Sequence, residues 1–192
     1  MSDPARILVV EDDADTIELL GEQLEDLGYE LAFARDGEEA ILKTGFGAPD
    51  LVIMDYMMPR LDGLETTRYF KARFSNQFVP VMMLSAKGDK ASIAEGIRIG
   101  ADEYTTKPYE ARVLRTRIES LLKLQAAESL VRGEEPPADA ADGVVVQRLS
   151  MAQDFCERGL YALARRYLER NTELRPDHRP SLELLESLGG RD

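Results

Sequence analysis

The strongest constraint on the fold is the regular alternation of short apolar runs with segments of helical periodicity. The apolar runs lie at 7–10, 51–54 and 79–84, with weaker strand patterns around 31–33 and at 104–106. Continuous runs of this kind are typical of strands buried on both faces of a parallel sheet. A segment with apolar residues at helical spacing follows each of them. Five strands that alternate with five helices predict an α/β fold, a parallel sheet with helices on both faces.

Polar side chains stand where four of these strands end. They are Glu11, Asp12, Asp13, Asp55, Ser85 and Lys107. The carboxyl ends of parallel strands share one edge of the sheet, so we expect these side chains to converge there. One acid at the end of one strand is often only a solvated cap, but four strand ends with distinct polar groups favour a functional site.

A cluster of carboxylates predicts a bound cation. Several carboxylates close together repel one another and would be forced to take up protons, whereas hard oxygen ligands suit Mg²⁺. With Mg²⁺ and Lys107 beside it, Asp55 would stay ionised and could attack a phosphoryl donor. The oxygens of the transferred group would then meet the metal, the ammonium group and Ser85.

Four segments carry a resemblance to a known family. They are 7–13 (ILVVEDD), 52–59 (VIMDYMMP) followed by Asp62 and Gly63, 84–86 (LSA) and 100–108 (GADEYTTKP). In this order they closely resemble the receiver domain of two-component response regulators, over about residues 5–124. The resemblance implies a flavodoxin-like, doubly wound five-stranded parallel sheet with strand order 2-1-3-4-5.

The resemblance also implies roles for individual residues. Asp55 would be the phosphoacceptor and a ligand of Mg²⁺, and three further groups would also bind the metal. Asp12 would bind the metal directly, Glu11 through water, and Met57 through its backbone carbonyl. Glu11 stands where Asp is commoner in the family. Met57 and Lys87 would shape the access of water to the phosphorylated site.

A second set of implied roles concerns the switch. Ser85, where Thr is frequent, and Tyr104 would be the switch pair that reshapes the surface of the fourth helix, fifth strand and fifth helix on phosphorylation. Lys107 would assist catalysis, aimed at the site by a cis peptide bond before Pro108.

The rest of the chain has a different character. We predict a receiver at 1–131, with its last helix extended to about 131, a flexible linker at 132–143 and a small all-α module at 144–192. The module shows the spacings of a tetratricopeptide repeat at Phe155, Gly159, Ala164, Leu168 and Pro176. Asn171 stands where that repeat has Ala, and a helical hairpin without repeat character is the alternative.

Composition suggests which partners to exclude. The formal net charge is −12, and the tail lacks a basic recognition helix, so we expect no nucleic-acid partner and no DNA-binding output. No apolar run approaches the length of a membrane span, and no signal peptide is recognised at the start. A single cysteine, Cys156, fits a reducing compartment. These features predict a cytoplasmic protein with no membrane insertion.

The sequence thus predicts a two-component response regulator. A sensor histidine kinase or phosphotransfer protein would phosphorylate Asp55 and alter the binding of an unidentified downstream protein, or promote a homodimer. No enzymatic activity is expected beyond self-phosphorylation and self-dephosphorylation. A Mg²⁺-dependent phosphohydrolase of small phosphate esters is one alternative, although such enzymes place their nucleophile near the first strand. A constitutive scaffold is the other.

Overall fold

A computed structural model describes residues 4–86, 90–131, 138–157 and 161–189. The chain divides into two compact units, Met1–Leu122 and Lys123–Asp192. The predicted receiver boundary at 131 therefore lies beyond the first unit. Within the described residues, no helix combines the length and apolar character needed to cross a bilayer.

The first unit alternates strands and helices. The strands are β1 (Arg6–Val10), β2 (Glu30–Ala34), β3 (Leu51–Asp55), β4 (Val81–Ser85) and β5 (Glu103–Thr106). The helices are α1 (Ala14–Glu25), α2 (Gly37–Lys43), α3 (Gly63–Arg73), α4 (Lys90–Arg98) and α5 (Ala111–Val131), with a 3-10 turn at Thr44–Phe46. α5 crosses the boundary between the two units.

All strand pairs are parallel, in the order β2-β1-β3-β4-β5, which confirms the predicted fold class. β1 and β3 are adjacent, with Val10 opposite Met54. At the carboxyl end of β3, Asp55 lies opposite Leu84, and Ser85 in turn lies opposite Thr106. The register therefore brings the ends of β1, β3, β4 and β5 to one edge of the sheet.

Three helices begin with the same kind of N-cap hydrogen bond. Asp13, Asp36 and Asp62 are the N-caps of α1, α2 and α3, and each carboxylate accepts a hydrogen bond of 2.8 Å from the backbone N–H three residues later. Aspartate suits this position because its side chain satisfies a backbone donor that the helix leaves unpaired. After α1, Gly28 has a φ of 77°, the left-handed conformation expected of a glycine that ends a helix.

The apolar core lies on the sheet. One cluster of buried residues joins β1 and β3 to the inner faces of α2 and α3 and includes Leu8, Met54 and Phe70. A second cluster contains Tyr104 and Met83. Methionine is prominent in this core, since the side chains of Met54, Met82 and Met83 are all fully buried.

A partly buried ion pair joins α3 to the opposite edge of the sheet. The ammonium group of Lys71 pairs with the carboxylate of Asp102 and donates to the carbonyl of Val79 at 2.7 Å. The same carboxylate accepts a hydrogen bond from the backbone N–H of Val81 at 2.8 Å, and the Asp102 N–H donates to the Val81 carbonyl. These bonds fix the start of β5 beside β4.

The second unit is helical. Its further helices are α6 (Ala138–Glu157), α7 (Tyr161–Leu174) and α8 (Arg179–Ser187). Residues 138–143 belong to α6, so this part of the predicted linker is helical, and residues 132–137 lie outside the described part. The segment contains three alanines, and alanine has the highest helix propensity, so the absence of large apolar residues did not indicate a flexible chain here.

The core of this unit combines aromatic and polar contacts. The rings of Phe155 and Tyr167 lie 5.4 Å apart between α6 and α7. The buried amide nitrogen of Asn171 donates to the carbonyl of Val145 at 2.9 Å and to Oγ of Ser181 at 3.0 Å, so it links α6, α7 and α8. Of the other positions of the suggested repeat, Ala164 and Leu168 are buried, Pro176 is exposed, and Gly159 lies outside the described residues. The tetratricopeptide assignment stays a prediction.

Candidate functional site

Three carboxylates meet at the carboxyl edge of the sheet. Glu11 directly follows β1, Asp12 comes next, and Asp55 ends β3. One oxygen from each lies within 4.8 Å of the others. Glu11 and Asp55 are only 3% and 6% exposed, whereas Asp12 is open to solvent. The site is therefore an acidic pocket with two buried carboxylates and one accessible carboxylate.

Lys107 supplies the positive charge of the pocket. Its Nζ lies 2.6 Å from Oδ1 of Asp55 and 2.6 Å from Oε2 of Glu11. The residue follows β5, and its backbone N–H donates to the carbonyl of Ser85 at 2.8 Å. The Lys107–Pro108 peptide bond is cis, as the resemblance implies.

Burial and charge act against each other within the pocket. Burial raises the pKa of Glu11 above its ordinary value, and the charge of Asp55 adds to this effect, although the hydrogen bond from Lys107 opposes it. Burial alone would lower the pKa of Lys107, but its hydrogen bonds to Asp55 and Glu11 outweigh burial and raise it. The lysine is therefore held as a cation.

The donor set fits a small divalent cation. Three carboxylates and one ammonium group leave two negative charges unbalanced when all are ionised. Carboxylate oxygens are also the donors that Mg²⁺ prefers. The charge and the donor atoms of these residues therefore fit such a cation.

The loop after β3 holds the second oxygen of Asp55. The backbone N–H of Met57 donates to Oδ2 at 2.8 Å. The Met57 side chain is 59% exposed at the edge of the pocket. At the end of the loop, a Cβ added to Gly63 would lie only 2.0 Å from the carbonyl oxygen of Asp55. The first turn of α3 therefore packs directly on the backbone of Asp55.

The two residues predicted as a switch pair lie on neighbouring strands. Ser85 ends β4 and is fully buried. Tyr104, in β5, is also buried and packs with Met83 and Ala101. Across from it in α4, a Cβ added to Gly96 would lie 3.5 Å from the tyrosine ring. The tyrosine ring is thus buried against β4 and α4.

Asp13 was expected to converge with the other acids, but its oxygen is used elsewhere. Oδ1 accepts hydrogen bonds from the backbone N–H of Thr16 at 2.8 Å and from its hydroxyl at 2.6 Å. These bonds lower the pKa of Asp13, the hydroxyl making the larger contribution. The Asp13-x-x-Thr16 spacing is an N-cap pattern that could have indicated this role. Lys87, proposed to shape water access, lies outside the described residues.

Several curated relatives of the chain are named as transcriptional regulators. The chain is 35% identical over 153 residues to the alkaline phosphatase synthesis transcriptional regulatory protein PhoP of Bacillus subtilis (strain 168), an alignment that covers 79% of this chain and 62% of PhoP. It is 39% identical over 118 residues to the probable transcriptional regulator ycf27 of Cyanophora paradoxa, which covers 62% of this chain and 48% of that protein. The chain therefore spans only part of the length of these relatives.

These names overturn one prediction. We expected an output that does not bind DNA and no nucleic acid among the partners, and this prediction is wrong because relatives of this receiver are named as transcriptional regulators. The net charge of −12 was a poor guide, since many of its carboxylates belong to the receiver and carry no information about the output.

Solved structures and a family profile agree on the first unit. The receiver domain of Francisella response regulator 1452 has a TM-score of 0.58 and 31% identity, and it covers 62% of this chain and 97% of its own. A CheY-like receiver domain protein from Methanospirillum hungatei JF-1 has a TM-score of 0.61 and 26% identity, with 65% and 98% covered. The profile of the response regulator receiver domain matches residues 7–119, more than half of the chain. The chain therefore belongs to the response regulator receiver family.

Proposed function

We propose that this protein is a two-component switch in which Asp55 accepts a phosphoryl group from a sensor histidine kinase or phosphotransfer protein. The observation that carries the proposal is the position of Lys107, with Nζ 2.6 Å from Asp55 and from Glu11. A partly buried ammonium group shared by two acids can hold one of them ionised and still face a ligand of negative charge.

The residues of the pocket would have different roles in the transfer. Lys107 and the backbone N–H of Met57 each bind a different oxygen of Asp55, so the carboxylate is held in a single orientation. One Asp55 oxygen forms the new bond to phosphorus as the bond to the donor's imidazole nitrogen breaks. The ammonium group of Lys107 and the hydroxyl of Ser85 would then bind phosphoryl oxygens.

We propose that Glu11, Asp12, Asp55 and the backbone carbonyl of Met57 hold Mg²⁺, with Glu11 acting through water. The support is the convergence of the three carboxylates and their unbalanced negative charge. When bound, the ion would neutralise that charge and orient the phosphoryl oxygens.

The proposed output is transcriptional control, as in the relatives whose names state it. The signal would leave the pocket through Ser85 and Tyr104 and alter the surface of α4, β5 and α5. We propose that this surface binds a downstream partner or a second copy of the chain, and that 144–192 is a tetratricopeptide-like docking module. A measurement of how much fragmented genomic DNA the phosphorylated and the unphosphorylated chain each retain would show whether the output includes DNA binding.

Intact-mass measurement tests the central proposal. We expect the full chain to gain one phosphoryl group when incubated with acetyl phosphate and Mg²⁺, and to gain none in the absence of Mg²⁺. Asp55→Asn should abolish the gain and Lys107→Met should reduce it strongly. Asp13→Asn is the matched control. It removes the acid next to Asp12, and Asp13 caps α1 instead of lining the pocket. Phosphorylation of Asp55→Asn at the same rate as the parent chain would disprove the assignment.

A further inference from the structure

Arg60, in the loop between β3 and α3, has an unusual backbone conformation. Its φ is 65°, and among the described residues it is the one non-glycine residue with a positive φ. The left-handed region is unfavourable for side chains other than glycine, with asparagine and aspartate tolerated best. A contact made by the arginine must therefore compensate for this conformation.

That contact is an ion pair with the N-cap of α2. The guanidinium group of Arg60 pairs with Oδ2 of Asp36, whose side chain is only 4% exposed, while that of Arg60 is 61% exposed. The other oxygen of Asp36 accepts the hydrogen bond from the backbone N–H of Glu39 at 2.8 Å. A buried carboxylate needs a cation or donors for both oxygens, and Arg60 serves the second oxygen.

The same two segments also pack closely. A Cβ added to Gly37, the first residue of α2, would lie 2.0 Å from Oγ1 of Thr66 and 2.9 Å from Cδ2 of Leu61. Leu61 belongs to the loop and Thr66 to the first turn of α3. The start of α2 therefore rests directly on the loop beside Arg60.

The loop in question is the one that holds Asp55. It runs over residues 56–62, and near its start the Met57 N–H binds Oδ2 of Asp55. Its end is fixed by the N-cap bond of Asp62 and by the packing of Gly63 on Asp55. Between these points, the Arg60–Asp36 pair joins the loop to α2.

We propose that Arg60 is a positioning residue for the pocket: through Asp36 it holds loop 56–62 in the conformation that aims the Met57 N–H at Asp55. This inference rests on the proposed function, because the loop matters through the Mg²⁺ and phosphoryl group that the pocket would bind. It adds to that function a dependence of the pocket on the N-terminus of α2.

Substitutions separate the charge from the backbone conformation. Arg60→Asn removes the charge but accepts a positive φ, and Arg60→Lys keeps the charge. Asp36→Asn removes the partner's charge and keeps a good N-cap residue. Arg98→Asn is the matched control, since it deletes a similarly exposed arginine, 70% against 61%, from the end of α4.

The first readout is hydrogen exchange of the metal-free chain. In Arg60→Asn we expect the Met57 amide to exchange about fivefold faster, the effect of losing an ion pair with one exposed partner. Amides of β4 should keep their rates, which would show that the unit remains folded. The second readout is a titration with Mg²⁺ alone, where we expect about fivefold weaker binding in Arg60→Asn and in Asp36→Asn.

The double variant decides whether the two residues act through each other. Arg60→Asn combined with Asp36→Asn should be no worse than either single variant, and Arg60→Lys should recover most of the parent affinity. Parent-like Mg²⁺ affinity and Met57 exchange in Arg60→Asn would overturn the inference, as would additive effects in the double variant. Either result would leave the phosphorylation of Asp55 intact, whereas a parent chain that takes up no phosphoryl group would count against the proposed function itself.

Discussion

Replacing Gly63 by alanine should damage both the stability of the first unit and its pocket. Gly63 is the first residue of α3, and its N–H donates to the carbonyl of Tyr56 at 3.3 Å. An added methyl carbon would lie 2.0 Å from the carbonyl oxygen of Asp55, 3.0 Å from its carbonyl carbon and 3.1 Å from Cα of Tyr56. All three are backbone atoms, so no side-chain rotation can relieve the overlap.

The magnitude follows from these distances. A carbon and a carbonyl oxygen normally come no closer than about 3.3 Å, so α3 and the end of β3 must separate by roughly 1.3 Å. Overpacking costs about 1–3 kcal/mol, and we expect the upper end because only the backbone can move. The lower chain entropy of alanine returns less than about 1 kcal/mol. The net loss is about 2 kcal/mol, or a decrease in Tm of about 8 °C for a unit of this size.

Thermal and urea unfolding followed by circular dichroism would measure this loss. Gly45→Ala is the matched control, because a Cβ at that position would have no atom within 4 Å, and its stability should equal or slightly exceed that of the parent. At temperatures where Gly63→Ala is folded, phosphorylation by acetyl phosphate should be slower, because the displaced backbone carries Asp55 away from Lys107. Unchanged stability in Gly63→Ala would refute the packing argument.

Three further changes test other parts of the chain. Asp102→Ala leaves the ammonium group of Lys71 without its buried partner and should destabilise the first unit by about 3 kcal/mol in urea unfolding, whereas a loss below about 1 kcal/mol would show that the pair is dispensable. The backbone N–H of Arg35 donates a hydrogen bond to the Glu39 carboxylate and lowers its pKa. This carboxylate therefore stabilises the fold above pH about 4.5, and the contribution is lost as the pH falls through the lowered pKa. An NMR titration of Glu39 would check the direction of the shift, and Glu39→Gln should flatten the pH dependence of stability in this range. Asn171→Ala removes the amide that links three helices and should cost about 1–3 kcal/mol, seen as faster hydrogen exchange across α6–α8, and parent-like exchange there would argue against the link.

The sheet and the main pocket residues could be predicted because local patterns determine them. Strands buried on both faces must be continuously apolar, so the runs at 7–10 and 51–54 identified β1 and β3. An acid at the end of each then had to lie at a common edge. The strand order came from the resemblance, since spacing along the chain does not specify which strands pair.

Contacts between residues distant in sequence could not be predicted in the same way. The Lys71–Asp102 and Arg60–Asp36 pairs depend on how helices and loops pack after the sheet has formed. Charged residues usually lie at the protein surface, and the sequence did not indicate which of these carboxylates would be buried. Asp13 was misplaced although its spacing to Thr16 is an N-cap pattern, because an aspartate after a strand can also line a pocket.

The abundance of methionine in the sheet has a consequence for how the interior could respond to a signal. A thioether chain is unbranched and polarisable, so it can change rotamer and still fill the available volume. The sulfur of Met83 lies 3.1 Å from the position of a Cβ on Gly96, in the layer that also contains the ring of Tyr104. We expect this layer to accommodate a displaced aromatic ring without opening a void, and the methyl group of Met83 would be a sensitive NMR probe of that rearrangement.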